Sequence, residues 1–205
     1  MQLTSNQTDA LTELINIGYA RAANALSDLT GHRLTLEVPR VSMHPIEEVG
    51  KLLSGTMSGE VASIHQMFSG PVGGNALLLL DHEAAMLLTR LLTNDSSTTD
   101  FDSSTREVLT EVGNIVLNAC LGVFGNLLQV QVTFAVPRLH VETITKVLSS
   151  ITVAQEDLQF ALMIQTKFTL RDSNIGGYLV IILGVTSLER LLEELENWEK
   201  RQVAE

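Results

Sequence analysis

The sequence predicts a mixed α/β fold in which one α-β-β-β-α unit occurs twice around a single central sheet. Three observations predict it: a motif that recurs at a constant offset, an amphipathic helix pattern at the start of each copy, and alternating apolar positions after each helix. The chain has 205 residues, of which 45% are hydrophobic, enough to bury a substantial core. We therefore expect a single domain, 1–205, with internal pseudo-two-fold symmetry.

A stretch of the first half of the chain recurs in the second half. Shifting residues 9–41 by 98 positions gives 10 identities in 33 aligned pairs. Two Gly-Gly pairs, which begin at Gly73 and Gly176, lie 103 positions apart and each opens an apolar run. Repeats at a constant spacing are typical of a duplicated structural unit. The identical pairs are Leu11/Leu109, Thr12/Thr110, Glu13/Glu111, Asn16/Asn114, Ile17/Ile115, Leu29/Leu127, Thr35/Thr133, Val38/Val136, Pro39/Pro137 and Arg40/Arg138.

Each repeat begins with an amphipathic helix that leads into a strand. In both helices the apolar residues fall within one arc of a helical wheel, and the residues that follow alternate as in a half-buried strand. The helical arcs contain Leu11, Leu14, Ile15, Tyr19, Ala22, Leu26 and Leu29, and then Leu109, Val112, Val116, Leu117, Cys120, Val123, Phe124 and Leu127. The apolar strand positions are Leu34, Leu36 and Val38, and then Val130, Val132, Phe134 and Val136.

The rest of each repeat is predicted to contain two further strands and a closing helix. These strands cover 60–68, 74–80, 158–170 and 177–183, and the closing helices cover 82–93 and 186–200. A polar, breaker-rich linker at 94–103 separates the repeats, which we place at about 1–93 and 104–205. Ser104 and Glu107 have the spacing of a capping box, which predicts that the helix of the second repeat begins there.

Composition and charge exclude several classes of function. With a formal charge of -11 and only 13 Lys and Arg residues, the chain lacks the basic surface that nucleic acids or anionic membranes require. Cys120 is the single cysteine, so neither a disulfide scaffold nor a cysteine-based zinc cluster is expected. The histidines are scattered without a metal-ligand spacing. Because the apolar runs are short and no signal-peptide pattern opens the sequence, we expect a cytoplasmic protein without membrane insertion.

The repeat contains one pair of polar residues whose spacing suggests a site. Glu13 and Asn16 lie about 60° apart on a helix and point away from the apolar arc, and Glu111 and Asn114 do the same in the second repeat. A solvated polar face is the ordinary explanation of such a pair. However, Asn is unfavourable inside helices, so its presence at the same position of two diverged copies favours a function. We call these pairs the first motif and the second motif.

The longer pattern around each motif resembles the signature of a known family. The pattern Asp/Ser-x3-Glu-x2-Asn-x22-Pro resembles that of the CheC/FliY/CheX phosphatases, which dephosphorylate the chemotaxis response regulator CheY. Two copies of the pattern resemble the CheC type, whereas CheX has one. Glu107 departs from the pattern, because the family has Asp or Ser at that position. In this sequence the pattern reads Asp9, Glu13, Asn16 and Pro39, and then Glu107, Glu111, Asn114 and Pro137.

The resemblance implies a protein phosphatase that hydrolyses the aspartyl phosphate of a phosphorylated CheY-type response regulator. If the resemblance holds, Asn16 and Asn114 would orient the attacking water, and Glu13 and Glu111 would dock on the regulator. The enzyme would have no cofactor or metal site of its own, because the bound regulator supplies Mg²⁺. Since internal duplication imitates a two-fold dimer, we expect a monomer.

A second hypothesis follows from the same resemblance. CheC-type proteins also bind the receptor deamidase CheD, so the chain could instead be a non-catalytic adaptor that binds phosphorylated CheY or CheD. The intact Glu and Asn of both motifs favour the phosphatase, because an adaptor has no need of the Asn amides. For the two prolines, Pro39 and Pro137, we expect only a structural role at the ends of strands.

Overall fold

The two halves of the chain have the same order of helices and strands. The computed structural model describes residues 3–31, 33–127, 129, 131–154, 158–170 and 173–203. The first half contains α1 (Ser5–Thr30), β1 (Leu34–Leu36), β2 (Arg40–Pro45), α2 (Ile46–Ser54), β3 (Glu60–Ser69), β4 (Gly74–Asp81) and α3 (His82–Thr93). The second half contains α4 (Ser103–Leu127), β5 (Thr133–Phe134), β6 (Arg138–Thr143), α5 (Ile144–Ala154), β7 (Leu158–Leu170), β8 (Ser173–Gly184) and α6 (Val185–Val203).

One antiparallel sheet joins the two halves. Among the described residues it has eight strands in the order β1-β7-β8-β4-β3-β5, with β2 also paired to β7 and β6 also paired to β3. At its centre β4 pairs with β8, one strand from each half, and Leu78 lies opposite Leu179. The predicted mixed α/β class with a central sheet is therefore confirmed.

The first two strands of each half pair with a strand of the other half. In β2, Arg40 lies opposite Gln165 of β7, and in β6, Arg138 lies opposite His65 of β3. Because Arg40 and Arg138 are equivalent in the repeat, Gln165 and His65 occupy equivalent positions too. β1 pairs with β7 in the same register as its equivalent, β5, pairs with β3. A duplicated unit would give this pairing, and the duplication itself, with its boundaries around 94–103, stays a prediction.

Helices cover both faces of the sheet. α1, α3, α4 and α6 share one apolar core with strand residues such as Ile64 and Leu78. α2 and α5 share a second core with Val61 and Leu77, which point to the opposite face because side chains alternate along a strand. The two helices that carry the motifs, α1 and α4, therefore lie on the same face.

α1 and α4 cross in direct contact at Gly18. A Cβ atom at Gly18 would lie 2.8 Å from the Cα atom of Cys120, closer than real Cβ atoms approach another carbon. The absence of a side chain at Gly18 is what permits this close approach. Cys120 is fully buried at the crossing, and burial raises the pKa of its thiol. The crossing fixes the spacing of the two motif helices.

The predicted α-β-β-β-α unit is wrong, because it omits a strand and a helix from each half. The structure adds β2 and α2 to the first half, and β6 and α5 to the second. α2 has nine residues and buries only Val49 and Leu53, so its periodic signal is short. β2 and β6 do alternate apolar with polar residues, but each has only six residues and none of them is fully buried. The other predicted strands and both closing helices are confirmed.

Several apolar residues that the sequence assigns to buried faces are exposed. Val38 and Val136 are 69% and 83% exposed, because β1 and β5 end before them. Phe134, within β5, is also exposed, and so is Leu29 in the last turn of α1. Val130 and the side chains of Leu36 and Leu127 lie outside the described residues.

The predicted start of the second motif helix is also wrong. Asp102 Oδ1 accepts a hydrogen bond of 2.7 Å from the backbone N–H of Thr105, so Asp102 is the N-cap of α4 and Ser104 is not. This backbone hydrogen bond lowers the pKa of Asp102. A carboxylate at this position satisfies one of the free N–H groups at the helix start.

One described helical segment, Ser103–Asn126, is long and apolar enough to cross a membrane by length and composition alone. Half of this segment is buried inside the fold, where it packs on the sheet and on α1. Since the core helices of globular domains meet the same criteria, the segment gives no clear signal of a membrane protein.

Candidate functional site

The second motif lies at the edge of a cleft between α4 and the loop that joins β5 to β6. Glu111 is exposed and Asn114 is half-buried, as their positions on α4 predict. Both line a cleft of about 400 Å³, together with Val136 and Pro137. Pro137 is buried directly before β6, which agrees with its expected place at a strand end. The second motif therefore has a concave space beside it that a partner's side chain or a water molecule could enter. We call this space the second-motif cleft.

A chain of side-chain amides reaches Asn114 from the sheet. Gln66 Nε2 donates to the backbone carbonyl of Ala135 and to Asn118 Oδ1, both at 2.9 Å. Asn118 Nδ2 in turn donates to Asn114 Oδ1 at 2.7 Å. Gln66 and Asn118 also line the second-motif cleft. We call Gln66, Asn118 and Asn114 the amide relay.

The amide relay leaves one buried acceptor without a partner. Gln66 is only 1% exposed, and its Oε1 atom accepts no hydrogen bond. Leaving such a group unsatisfied costs roughly 1–3 kcal/mol of folding free energy. A hydrogen-bond donor that reaches Oε1, such as a buried water molecule, would remove this cost.

The first motif has the same pattern of exposure as the second, but its surroundings differ. Glu13 is exposed and Asn16 is half-buried on α1. Within the described part of the chain, the Asn16 side chain forms no hydrogen bond. A cleft of about 450 Å³ lies near the end of β1, but Glu37 and Lys167 line it and neither motif residue does. The two motifs thus differ in what surrounds them.

The difference can be traced to two positions of the repeat. Ala20 takes the place of Asn118, four residues after the motif Asn in both helices. Thr166 takes the place of Gln66, because each directly follows one of the two equivalent strand residues described above. The methyl group of Ala20 cannot form a hydrogen bond. The Thr166 hydroxyl is buried beside the hydroxyl of Tyr19 on α1 and forms no hydrogen bond with Asn16.

The two halves also differ in charge at a pair of equivalent positions. Lys167 Nζ forms a salt bridge of 3.0 Å with Glu37 Oε1, and both side chains are about half exposed. The equivalent residues of the other half are Met67 and Ala135, which carry no charge. Exposed pairs of this kind contribute about 0–1 kcal/mol to stability. The salt bridge therefore contributes little to folding stability.

An exposed valine precedes the motif proline in both halves. Val38 and Val136 occupy equivalent positions, and both project from the loop between the first two strands. An exposed apolar side chain beside a charged pair is a common feature of docking surfaces. The sequence alone does not reveal this feature, because both valines continue the apolar alternation of a predicted strand.

Gln66 and Asn118 also belong to the candidate site, although neither is part of the predicted motifs. Asn118 could have been found, since it lies one turn after Asn114 on the same helical face. Gln66 could not, because it is 52 positions from Asn118 in the chain and reaches it only through the fold. Glu107, which departs from the family pattern, is exposed in the first turns of α4.

A cavity of about 860 Å³ lies at the ends of β3 and β4 beside the start of α6. No charged side chain and no motif residue lines it. Among the described residues no group of three or more His, Cys, Asp or Glu side chains is placed to bind a metal ion. The smaller second-motif cleft is therefore the better candidate site.

Comparison with known sequences gives the same family as the motifs. Residues 7–43 match the model of the CheC-like family. The CheY-P phosphatase CheC of Bacillus subtilis (strain 168) is 25% identical over 151 residues, which cover 72% of this chain and 72% of that protein. The match to the family model contains the whole first motif and its proline.

Comparison with solved structures gives the same fold. FliY of Thermotoga maritima has a TM-score of 0.78 at 17% identity, over 97% of this chain and 100% of that chain. The FliM middle domain from H. pylori has a TM-score of 0.68 at 13% identity, over 94% and 99%. CheX of Desulfovibrio desulfuricans has a TM-score of 0.51 at 14% identity, over 82% and 99%. With the family model and the Bacillus relative, they confirm the resemblance to the CheC/FliY/CheX family that the repeated motif predicts.

Proposed function

We propose that this protein is a phosphatase that accelerates hydrolysis of the aspartyl phosphate of a CheY-type response regulator. The observation that carries the proposal is the position of Glu111 and Asn114, which line one cleft on an exposed helical face. The same pair occurs as Glu13 and Asn16 on α1. The resemblance to a relative named as a CheY-P phosphatase supports the proposal.

The chemistry needs little from the phosphatase. Phosphoryl transfer to water requires an in-line nucleophile and neutralisation of charge on the transferred group, so positioning accounts for most of the catalysis. The regulator would supply the phosphoryl group, its Mg²⁺ ion and a lysine. The amides of Asn16 and Asn114 each have a donor and an acceptor, with which they would hold the water in line.

We propose that the glutamate of each motif docks on the regulator. Glu13 and Glu111 lie one helical turn from the Asn residues and are exposed, so they are free to pair with the regulator's lysine. Val136 lines the same cleft as Glu111 and Asn114 and would add an apolar contact beside that pair. Pairing with the lysine would set the register of the helix on the regulator, and with it the position of the Asn amide.

The test is the rate of phosphate release from a phosphorylated, Mg²⁺-loaded CheY-type regulator. The protein would be added below the regulator's concentration, so that only turnover gives a large effect. We expect wild type to accelerate release and the double variant Asn16→Ala, Asn114→Ala to lose the acceleration. Asn24→Ala on α1 and Asn126→Ala on α4 are matched controls, because both are exposed Asn residues outside the motifs.

The same experiment separates the phosphatase from the adaptor. Acceleration that survives in the double variant would overturn the proposed role of the Asn residues. If wild type binds the phosphorylated regulator or CheD without accelerating release, the adaptor is correct. Binding of both partners is therefore measured with the same proteins, by titration with each partner.

A further inference from the structure

The direction of every hydrogen bond in the amide relay is fixed from one end. The backbone carbonyl of Ala135 can only accept, so Gln66 must present its Nε2 group to it. The same Nε2 group then donates to Asn118 Oδ1, which leaves Asn118 Nδ2 as the donor to Asn114. Asn114 therefore has one orientation, with its Oδ1 towards Asn118 and its own N–H groups free.

The relay is not what folding stability alone would select. Its first member, Gln66, keeps a buried Oε1 atom without a donor. An apolar side chain of the same size would fill the position without that unsatisfied acceptor. Buried polar groups that reduce stability in this way are common at functional sites. Gln66 itself lines the second-motif cleft, beside Asn118 and Asn114.

The first motif shows what a site without the relay looks like. With Ala20 and Thr166 at the equivalent positions, nothing in the described chain holds the Asn16 amide. Its orientation must be selected when the partner binds, which reduces the fraction of complexes with a well-placed water.

We propose that Gln66 and Asn118 are positioning residues that pre-orient Asn114, and that the second motif is therefore the dominant site of the protein. This inference rests on the proposed phosphatase function, since it assigns most of that activity to one of the two motifs. The relay acts on the orientation of the Asn114 amide and not on docking. It should therefore change the rate of the chemical step more than the affinity for the regulator.

The kinetic test is made in an Asn16→Ala background, where only the second motif remains. Asn118→Ala gives the second motif the residue that the first motif has at this position, and Gln66→Met removes the donor at the start of the relay. We expect kcat to fall roughly tenfold or more in each variant, with KM changed less than about twofold. Asn126→Ala on the same helix is the matched control. An unchanged kcat in both variants would overturn the positioning role.

Thermal unfolding of the same variants distinguishes positioning from damage to the fold. Gln66→Met removes an unsatisfied buried acceptor but also the two hydrogen bonds that Nε2 donates, so its melting temperature should change little while kcat falls. A fall of kcat that occurs only with a large fall in melting temperature, in both variants, would mean that the relay is structural and would overturn the proposal.

A second measurement needs no substrate. NMR relaxation of the side-chain NH₂ groups should show a rigid amide for Asn114 and a mobile one for Asn16, and Asn118→Ala should make Asn114 as mobile as Asn16. Equal mobility of the two amides in wild type would overturn the relay. If wild type fails to accelerate phosphate release, the proposed function fails and this measurement alone decides whether the relay exists.

Discussion

The two Glu-Asn motifs have the same exposure on equivalent helices, yet among the described residues side-chain hydrogen bonds connect only the second motif to the sheet. In the second motif, Asn114 is the end of a chain of amides that starts at Gln66. In the first half, Ala20 and the buried Thr166 stand at the equivalent positions, and the described chain gives the Asn16 side chain no hydrogen bond. The comparison teaches that two motifs can match in sequence and exposure while the residues that surround them differ.

The crossing of α1 and α4 sets the distance between the two motifs, and its disruption should have the largest effect. The position equivalent to Gly18 in α4 is Val116. Gly18→Val would place a branched side chain against the backbone at Cys120, where even a Cβ atom has no room. We expect a loss of about 2–3 kcal/mol in the free energy of unfolding, measured by urea denaturation, with loss of activity at both motifs.

Gly122→Ala is the control for this prediction. No atom lies within 4 Å of a Cβ at Gly122, so the added methyl group should raise helix stability by up to about 1 kcal/mol. Equal stability of Gly18→Val and wild type would mean that the helices can separate without cost, and the motifs would then not be held at a fixed spacing.

The exposed valines test whether both motifs meet the regulator. Val136 lines the second-motif cleft, so Val136→Asp should raise KM by about tenfold, through lost apolar contact and added negative charge. Val38→Asp should raise KM less, because Val38 lies beside the weaker site. Neither change should alter the melting temperature, since both side chains are mostly exposed. A larger effect at Val38 would reverse the ranking of the two motifs.

The salt bridge beside the first motif should have the smallest effect. The double change Glu37→Ala, Lys167→Met gives the first motif the uncharged residues found near the second. Since the pair is about half exposed, we expect the free energy of unfolding to change by less than about 1 kcal/mol. The measurement is urea denaturation at low and high salt, and any difference from wild type should shrink as salt screens the pair. A loss of several kcal/mol would show that the bridge is structural.

The sequence predicts the long elements and both motifs well, for a physical reason. Helices α1 and α4 and the central strands bury continuous apolar faces, so their periodicity is strong. The same periodicity places Glu13 and Glu111 on the exposed face. These parts of the fold and the candidate site depend on local patterns that a single chain already displays.

The missed parts depend on contacts between distant residues. α2 and α5 have only nine and eleven residues, so the apolar period of each extends over just two or three turns. Val136 follows an apolar alternation but lies past the end of its strand, which only the pairing of β5 with β3 decides. Gln66 belongs to the site because the sheet places it under α4, and no local pattern reveals that.

The exchange of edge strands has a consequence for chain integrity. β3 receives β5 and β6 from the other half, and β7 receives β1 and β2, so each half completes the sheet of the other. A cut within the loop 94–102 should therefore release no independent fragment, because each piece would leave an unpaired edge. We expect the two fragments to remain associated and to reassemble after unfolding. A single fragment on its own should pair with a second copy of itself, as an interlocked dimer built on the plan of one chain.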